Sequence, residues 1–277
     1  MRYCDYAILI PLSPNASMLT QMVEEKRQII REIGKSIRGI FFDLDETLVD
    51  DDRCMRVAVA QTCTKLARRY LRIDPGQLEA TYLRVADEWW TGSGSVPRAS
   101  SSATSDGKAI RVEVWSKALA ACDLPTQHLA IEAADLYSQE RRASYCLFPD
   151  VDEVLHLLCQ TFVLGVITNG AGDTQREKLR VTGIADYMDV FIVSGDVGVG
   201  KPEPGIFIKA LESAQVMPRE AIYVGDSLTW DIAGAKSAGM HGVWMNRKRV
   251  SKPRDATQPD IEITSLRDLI PMLGSDK

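Results

Sequence analysis

The chain has 277 residues, with 33 Lys and Arg against 38 Asp and Glu and a net charge of −5; at roughly 100–200 residues per domain this length suits one large domain or two modest ones. Apolar residues make up 45% and charged residues 26%, which excludes whole-chain disorder and leaves enough apolar material for a sizeable core. The acidic balance argues against a nucleic-acid footprint, which is basic and clustered, but not against a small anionic substrate, whose site can invert the global sign.

In chain order, residues 1–37 form an N-terminal extension. Within it Leu19, Met22, Val23, Ile29, Ile30, Ile33 and Ile37 recur at roughly helical spacing, which predicts a helix over 18–37, either peripheral or partner-binding. Residues 38–42 read as a short buried strand. From 53 to 145 the character is helical, with spaced apolar positions over Val57–Leu71, Pro75–Trp90, Ala109–Ala121 and Thr126–Arg142. Asp74-Pro75-Gly76 is a helix start signal. Residues 91–107 are rich in Gly, Ser and Thr and predict an exposed loop.

After Pro149 short apolar strands alternate with helices: strands at Phe162–Thr168, Val190–Ser194, Ala221–Val224 and Gly242–Met245, helices at Val151–Cys159, Thr174–Val181, Pro204–Ala214, Trp230–Ala238 and Leu266–Leu273. That rhythm predicts an α/β fold with a doubly wound, mostly parallel sheet covered on both faces. The body then comprises 38–52 and 146–277, and the helices of 53–145 are an insertion after the first strand. No apolar run reaches the roughly 18–20 residues a membrane span needs, and no signal-peptide pattern is present. The six cysteines form no C-x-x-C pair and read as reduced thiols of a cytoplasmic protein.

Four short segments carry candidate chemistry. In Phe41-Phe42-Asp43-Leu44-Asp45-Glu46-Thr47, Asp43 and Asp45 start on one face at the end of a strand, where ligands of open α/β sheets bind. Two crowded carboxylates call for a cation or a proton, and hard oxygen ligands point to Mg²⁺. Alone, the pair reads equally well as a solvated acidic turn, since Asp50, Asp51 and Asp52 follow. Val224-Gly225-Asp226 places another carboxylate at a strand end, with Asp231 five residues on, either joining it or capping the next helix. Thr168-Asn169-Gly170 offers a hydroxyl and backbone N–H groups to an oxyanion, or is an ordinary turn. Gly195 to Lys201 imitates a P-loop, but Pro202 has neither the hydroxyl nor the N–H that such a loop needs next. Lys201 is then a counter-charge facing the Asp residues, or an exposed loop lysine.

Taken in order, Asp43-Leu44-Asp45-Glu46-Thr47, Thr168-Asn169-Gly170, Lys201-Pro202 and Gly225-Asp226 with Asp231 resemble the haloacid dehalogenase-like (HAD) hydrolase superfamily. The resemblance covers about 38–245, and the helical insertion looks like the cap of its phosphatase-type subfamily. It implies a Rossmann-like core and a Mg²⁺-dependent phosphomonoester hydrolase for a small phosphorylated metabolite, with no nucleic acid and no membrane as partner. Asp43 would be the nucleophile, forming an aspartyl-phosphate, and Asp45 the acid and base. Thr168, Asn169 and Lys201 would bind phosphate. Asp43, Asp226, Asp231 and the backbone carbonyl of Asp45 would hold Mg²⁺. Asp45 favours a phosphate ester over a halide, because dehalogenases of this superfamily lack an Asp at that position. A phosphomutase, or a non-catalytic binding protein on the same scaffold, is the alternative. Trp89, Trp90 and the loop 91–107 are candidates for the mouth of the cap.

Overall fold

Gly39–Phe42 forms β1, an entirely buried strand at the centre of the molecule. It pairs in parallel with β2 (Val163–Thr168) on one side and β4 (Ala221–Gly225) on the other, so that Ile40 faces both Leu164 and Ile222. With β3 (Val190–Val193), β5 (His241–Met245) and β6 (Ile261–Ile263) they make one six-stranded sheet of order β3-β2-β1-β4-β5-β6, in which every pairing is parallel. The computed structural model describes residues 36–91 and 107–273. All but the last two residues of the helix predicted at 18–37, and the interior of the loop predicted at 91–107, lie outside the described residues.

The period-2 alternation of strands divides the apolar side chains between two faces. Ile40 and Phe42 join Leu164, Val166, Val224 and Val243 in one core, while Phe41 joins Ile167, Tyr223 and Phe207 in the other. A glycine makes this possible next to Phe41: a Cβ on Gly165 would sit 2.6 Å from the Phe41 ring. Helices cover both faces, which is why these strands read as continuous apolar runs.

Between β1 and β2 the chain makes α1 (Asp51–Arg69), α2 (Pro75–Thr91), α3 (Gly107–Ala120), α4 (Gln127–Ser144) and α5 (Val151–Leu158). Helices α1 to α4 bury an apolar core of their own, centred on Tyr82, Trp115 and Tyr137, with ring centroids 4.2 Å apart for Tyr82–Trp115 and 5.4 Å for Tyr82–Tyr137. Asp74 starts α2 by accepting hydrogen bonds from the N–H groups of Gly76 and Gln77 at 2.9 and 3.0 Å. Helix α6 (Gly172–Thr182) follows β2, and α7 (Ser194–Val197) and α8 (Pro204–Ala214) follow β3.

Three details differ from the sequence reading. Strand β6 was not expected, because three residues with an exposed Glu262 at their centre give too short an alternation to register. The helix expected at Trp230–Ala238 begins instead as a π-turn over Leu228–Ile232 and continues as α9 (Ala233–Ser237). The last helix opens as a 3₁₀ turn before α10 (Leu269–Met272). Among the described residues no helix is long and apolar enough to cross a membrane, and five cysteines are free thiols, Cys54 and Cys146 with their sulfurs 3.3 Å apart.

Candidate active site

Because β1, β2 and β4 are neighbours and parallel, the residues that follow them emerge side by side at one edge of the sheet. Asp43 extends β1 by one residue, its N–H donating to the Val224 carbonyl at 2.8 Å. Its buried carboxylate meets Lys201, whose Nζ lies 2.5 Å from Asp43 Oδ1, 2.6 Å from Asp231 Oδ1 and 3.1 Å from the Tyr223 hydroxyl. Tyr223 in turn donates to the Ile167 carbonyl at 2.9 Å, anchoring the group to β2. Burial opposes the charge on Lys201, yet Asp231 and Asp43 hold its pKa above the ordinary lysine value. Lys201 is therefore a buried, fixed cation rather than an exposed loop lysine.

Asn169 holds that cation in place. Its Oδ1 accepts from the Lys201 N–H at 2.8 Å and its Nδ2 donates to the Lys201 carbonyl at 3.1 Å. The side chain is thus committed to the loop carrying Lys201, and an anion at this strand end is left the backbone N–H of Asn169.

Asp231 is buried, and its Oδ2 accepts from the Ser227 N–H at 2.9 Å. The cap at this turn is Ser227, whose hydroxyl accepts from the Trp230 N–H at 3.2 Å, so Asp231 is free to face Lys201. Gly225 makes room for it, since a Cβ there would come within 2.4 Å of the Asp231 carboxylate carbon. Asp226 is steadied through its carbonyl, which accepts from the Trp244 indole N–H at 2.8 Å.

One carboxylate oxygen from each of Asp43, Asp226 and Asp231 lies within 4.8 Å of the others. Burial, then the charge of Asp231, pushes the Asp226 carboxyl up to about 7. Burial also drives Asp43 well above the usual carboxylate range, with Asp231, Asp226 and Asp45 adding to the rise and Lys201 opposing it. Three crowded acids facing a single ammonium are short of positive charge, and three hard oxygen donors suit Mg²⁺. The residues therefore fit the ion.

The carboxylate of Asp45 is not part of this cluster. Backbone after Phe42 is no longer strand, so the spacing of two ceases to fix a common face, and Asp45 turns to different partners. Its Oδ1 accepts from Lys178 Nζ at 2.7 Å and its Oδ2 from Gln175 Nε2 at 3.1 Å. Gln175 Nε2 also lies 2.7 Å from the Thr168 hydroxyl, tying Asp45 to the end of β2. Lys178 reaches Asp51 Oδ1 at 2.8 Å, and Arg141 of α4 reaches the same oxygen at 2.5 Å. Burial disfavours the Asp51 charge, but Lys178 and Arg141 outweigh it and hold the carboxyl far below its usual range. Gln175, Lys178, Asp51 and Arg141 were not anticipated from the sequence. The available signal was Gln175 and Lys178 three apart, hence on one face of α6.

A cavity of about 480 Å³ opens beside Asp45, between the strand ends and helices α1 to α4. A second of about 310 Å³ lies against Asp226 and Trp244, and Glu46 and Lys248 line both. Trp89 lines neither; it packs against the helical core with Lys117 Nζ 4.7 Å from its ring centroid. Of the Trp90 side chain nothing is described.

Residues 37–239 match the haloacid dehalogenase-like hydrolase family. The chain belongs to that family. A phosphoserine phosphatase of Thermus thermophilus is 38% identical over 141 residues, which are 50% of this chain and 56% of that relative. The chain thus matches just over half the length of that protein. A glyceraldehyde 3-phosphate phosphatase of Pyrococcus furiosus is 30% identical over 251 residues, 88% of this chain and 97% of the relative. Among solved structures, a 2-haloacid dehalogenase from Pseudomonas syringae pv. tomato is 32% identical with a TM-score of 0.61, covering 86% of this chain and 98% of its own. This member of the haloacid dehalogenase-like family therefore resembles relatives named for two different leaving groups.

Proposed function

We propose that the chain is a Mg²⁺-dependent phosphomonoesterase for a small phosphorylated metabolite, working through an aspartyl-phosphate on Asp43, with residues 38–52 and 146–277 as catalytic core and 53–145 as a helical cap. The observation that carries the reading is the division of labour between the first two acids: Asp43 sits among Lys201, Asp226 and Asp231, while Asp45 is held apart by Lys178 and Gln175 at the cavity.

In this reading an Asp43 oxygen attacks phosphorus while the bond to the ester oxygen breaks. Asp45 delivers a proton to that departing oxygen, then takes one from the water that attacks the aspartyl-phosphate, releasing inorganic phosphate and restoring Asp43. Lys201 offsets the charge of Asp43 and the phosphoryl oxygens, which the Thr168 hydroxyl and the Asn169 N–H hold, the Gly170 N–H being taken by the Ser194 hydroxyl. Asp43, Asp226 and Asp231, with the Asp45 carbonyl, would hold Mg²⁺, which would supply the remaining positive charge that phosphoryl transfer demands. A halide leaves without a proton, so a dehalogenase has no use for a second carboxylate fixed over the cavity. Asp45 therefore supports the phosphatase names among the relatives over the dehalogenase name.

The test is phosphate release from p-nitrophenyl phosphate and a panel of phosphorylated metabolites. Wild type with Mg²⁺ releases inorganic phosphate, Asp43→Asn abolishes turnover with an unchanged circular-dichroism spectrum, and exhaustive EDTA silences the wild type. Full activity of Asp43→Asn refutes the nucleophile assignment; isomerised phosphate ester without phosphate release refutes hydrolysis in favour of a mutase.

A further inference from the structure

Four cationic side chains reach the 480 Å³ cavity: Arg111, Arg141, Lys178 and Lys248. Three have a carboxylate partner. Arg141 pairs with Asp51, Lys178 with Asp45 and Asp51, and Lys248 with Glu46. Arg111 has none among the described residues. Its Nη1 donates to a neutral oxygen, Thr174 Oγ1, at 3.2 Å, and its Nε is buried without any hydrogen-bond partner. Arg111 is only partly buried and lines the cavity, and the terminal nitrogens of a guanidinium form a planar fork that a carboxylate meets with two parallel hydrogen bonds.

Granting the phosphomonoesterase reading, we infer that Arg111 is a specificity residue and that the metabolite it selects carries a carboxylate in addition to its phosphate. The surroundings favour this class over others. Tyr82, Ala86, Ile110 and Val114 give the cavity an apolar wall on the helical side, so a hydroxyl-only substrate would leave the Arg111 charge uncompensated there. A second phosphate would bring two negative charges to one unpaired cation, whereas a carboxylate brings one. The position also suits selection. Arg111 belongs to α3 and Thr174 to α6, so a carboxylate bound at this seam touches groups from the helical layer and from the sheet-side body at once. A metabolite spanning from Arg111 to the strand ends is small, in keeping with the cavity's volume.

The test uses matched phosphate esters that differ only in the second group: 3-phosphoglycerate against glycerol 3-phosphate, phosphoglycolate against 2-hydroxyethyl phosphate, and phosphoserine against phosphoethanolamine. Phosphate release is measured with the full chain and Mg²⁺. The expected result is that the wild type prefers the carboxylated member of at least one pair by tenfold or more in kcat/KM. Arg111→Gln should then lower kcat/KM for that member by about 10- to 100-fold, mainly through KM, as loss of a charged hydrogen-bonding partner implies. The neutral member should lose much less, so the preference falls towards one. Arg111→Lys, which keeps the charge but not the fork, should retain part of the preference, and it serves as the reporter if Arg111→Gln does not fold. Hydrolysis of p-nitrophenyl phosphate and of the neutral esters without any preference for a carboxylate overturns this inference alone. Equal losses on both members of the preferred pair overturn it too. A chain inert on every ester, p-nitrophenyl phosphate included, overturns the phosphatase reading and this inference together.

Discussion

Lys178 Nζ lies 2.7 Å from Asp45 Oδ1, a contact between residues 133 positions apart that sets the side chain of the proposed acid and base. The same ammonium holds Asp51 at 2.8 Å. Its pKa stands above the ordinary lysine value because Asp45 and Asp51 outweigh the effect of burial. In the proposed reaction Lys178 would act through Asp45, as a positioning residue.

Replacing Lys178 with Met should cut kcat by about tenfold or more, a fraction of the 10²–10⁴ that acid–base catalysis contributes, and leave the Mg²⁺ concentration for half-activity unchanged. Lys178→Arg should recover part of the loss. A Lys178→Met enzyme with wild-type kcat and an unaltered pH–rate profile would remove the positioning role.

Lys201→Gln should be destabilising as well as inactivating, because Asp43 and Asp231 would remain buried without their counter-charge; breaking such a pair costs about 3–5 kcal/mol. Added Mg²⁺ should raise the melting temperature of this variant more than that of the wild type. Thermal melts with and without Mg²⁺ check the point, and equal shifts in the two proteins would contradict it.

For the wild type, Mg²⁺ at 100 times its Kd should stabilise the fold by about 2.7 kcal/mol if it binds the native chain alone. Two substitutions should weaken that effect by different routes. Asp226→Asn removes a donor of the acidic cluster, whereas Gly225→Ala leaves the donors in place and drives a Cβ against Asp231. Titration of the melting temperature with Mg²⁺ separates both from the wild type, and an undiminished response in either would sink the assignment of that residue.

Away from the site, Asp150 ties the two ends of the body together. It accepts from Arg247 at 3.1 Å, from the Ser265 hydroxyl at 2.6 Å and from the Leu266 N–H at 2.7 Å. Burial opposes its ionisation, but these donors, Arg247 first, hold its pKa below the usual carboxylate value. A depressed folded pKa means the contribution is complete above the unfolded value of about 3.9 and disappears as the pH falls through the lower folded value. Asp150→Asn should therefore cost about 1–3 kcal/mol at pH 7, with the difference from wild type narrowing below pH 4. Urea denaturation across that range measures it, and a pH-independent difference would contradict the assignment.

The parallel sheet was legible because its central strands are unbroken apolar runs bounded by polar residues, as in Gly39–Phe42 and Ala221–Gly225. The acidic cluster was legible for a related reason: Asp43 and Asp226 follow those strands directly, Asp231 lies one turn further on, and neighbouring parallel strands deliver their ends to one edge. Lys178 was not, because in the surrounding Arg176-Glu177-Lys178-Leu179-Arg180 it looks like one charge of a solvated helix face. Only the packing of α6 against the strand ends buries it. Tyr223 was hidden in the opposite way, as an apparent core aromatic whose hydroxyl turns out to serve Lys201. Arg111 carries no local signal at all, since the role inferred for it rests on its having no carboxylate partner among the described residues rather than on a pattern along the chain.

The two cavities at the site adjoin, with Glu46 and Lys248 lining both. The acid of the metal-fitting cluster that opens outward, Asp226, faces one of them, and Asp45 faces the other. On the proposed reading, the acid that would meet the leaving group and the acid that would meet the cation thus face different openings, so substitutions lining one can be tested for their effect on the other.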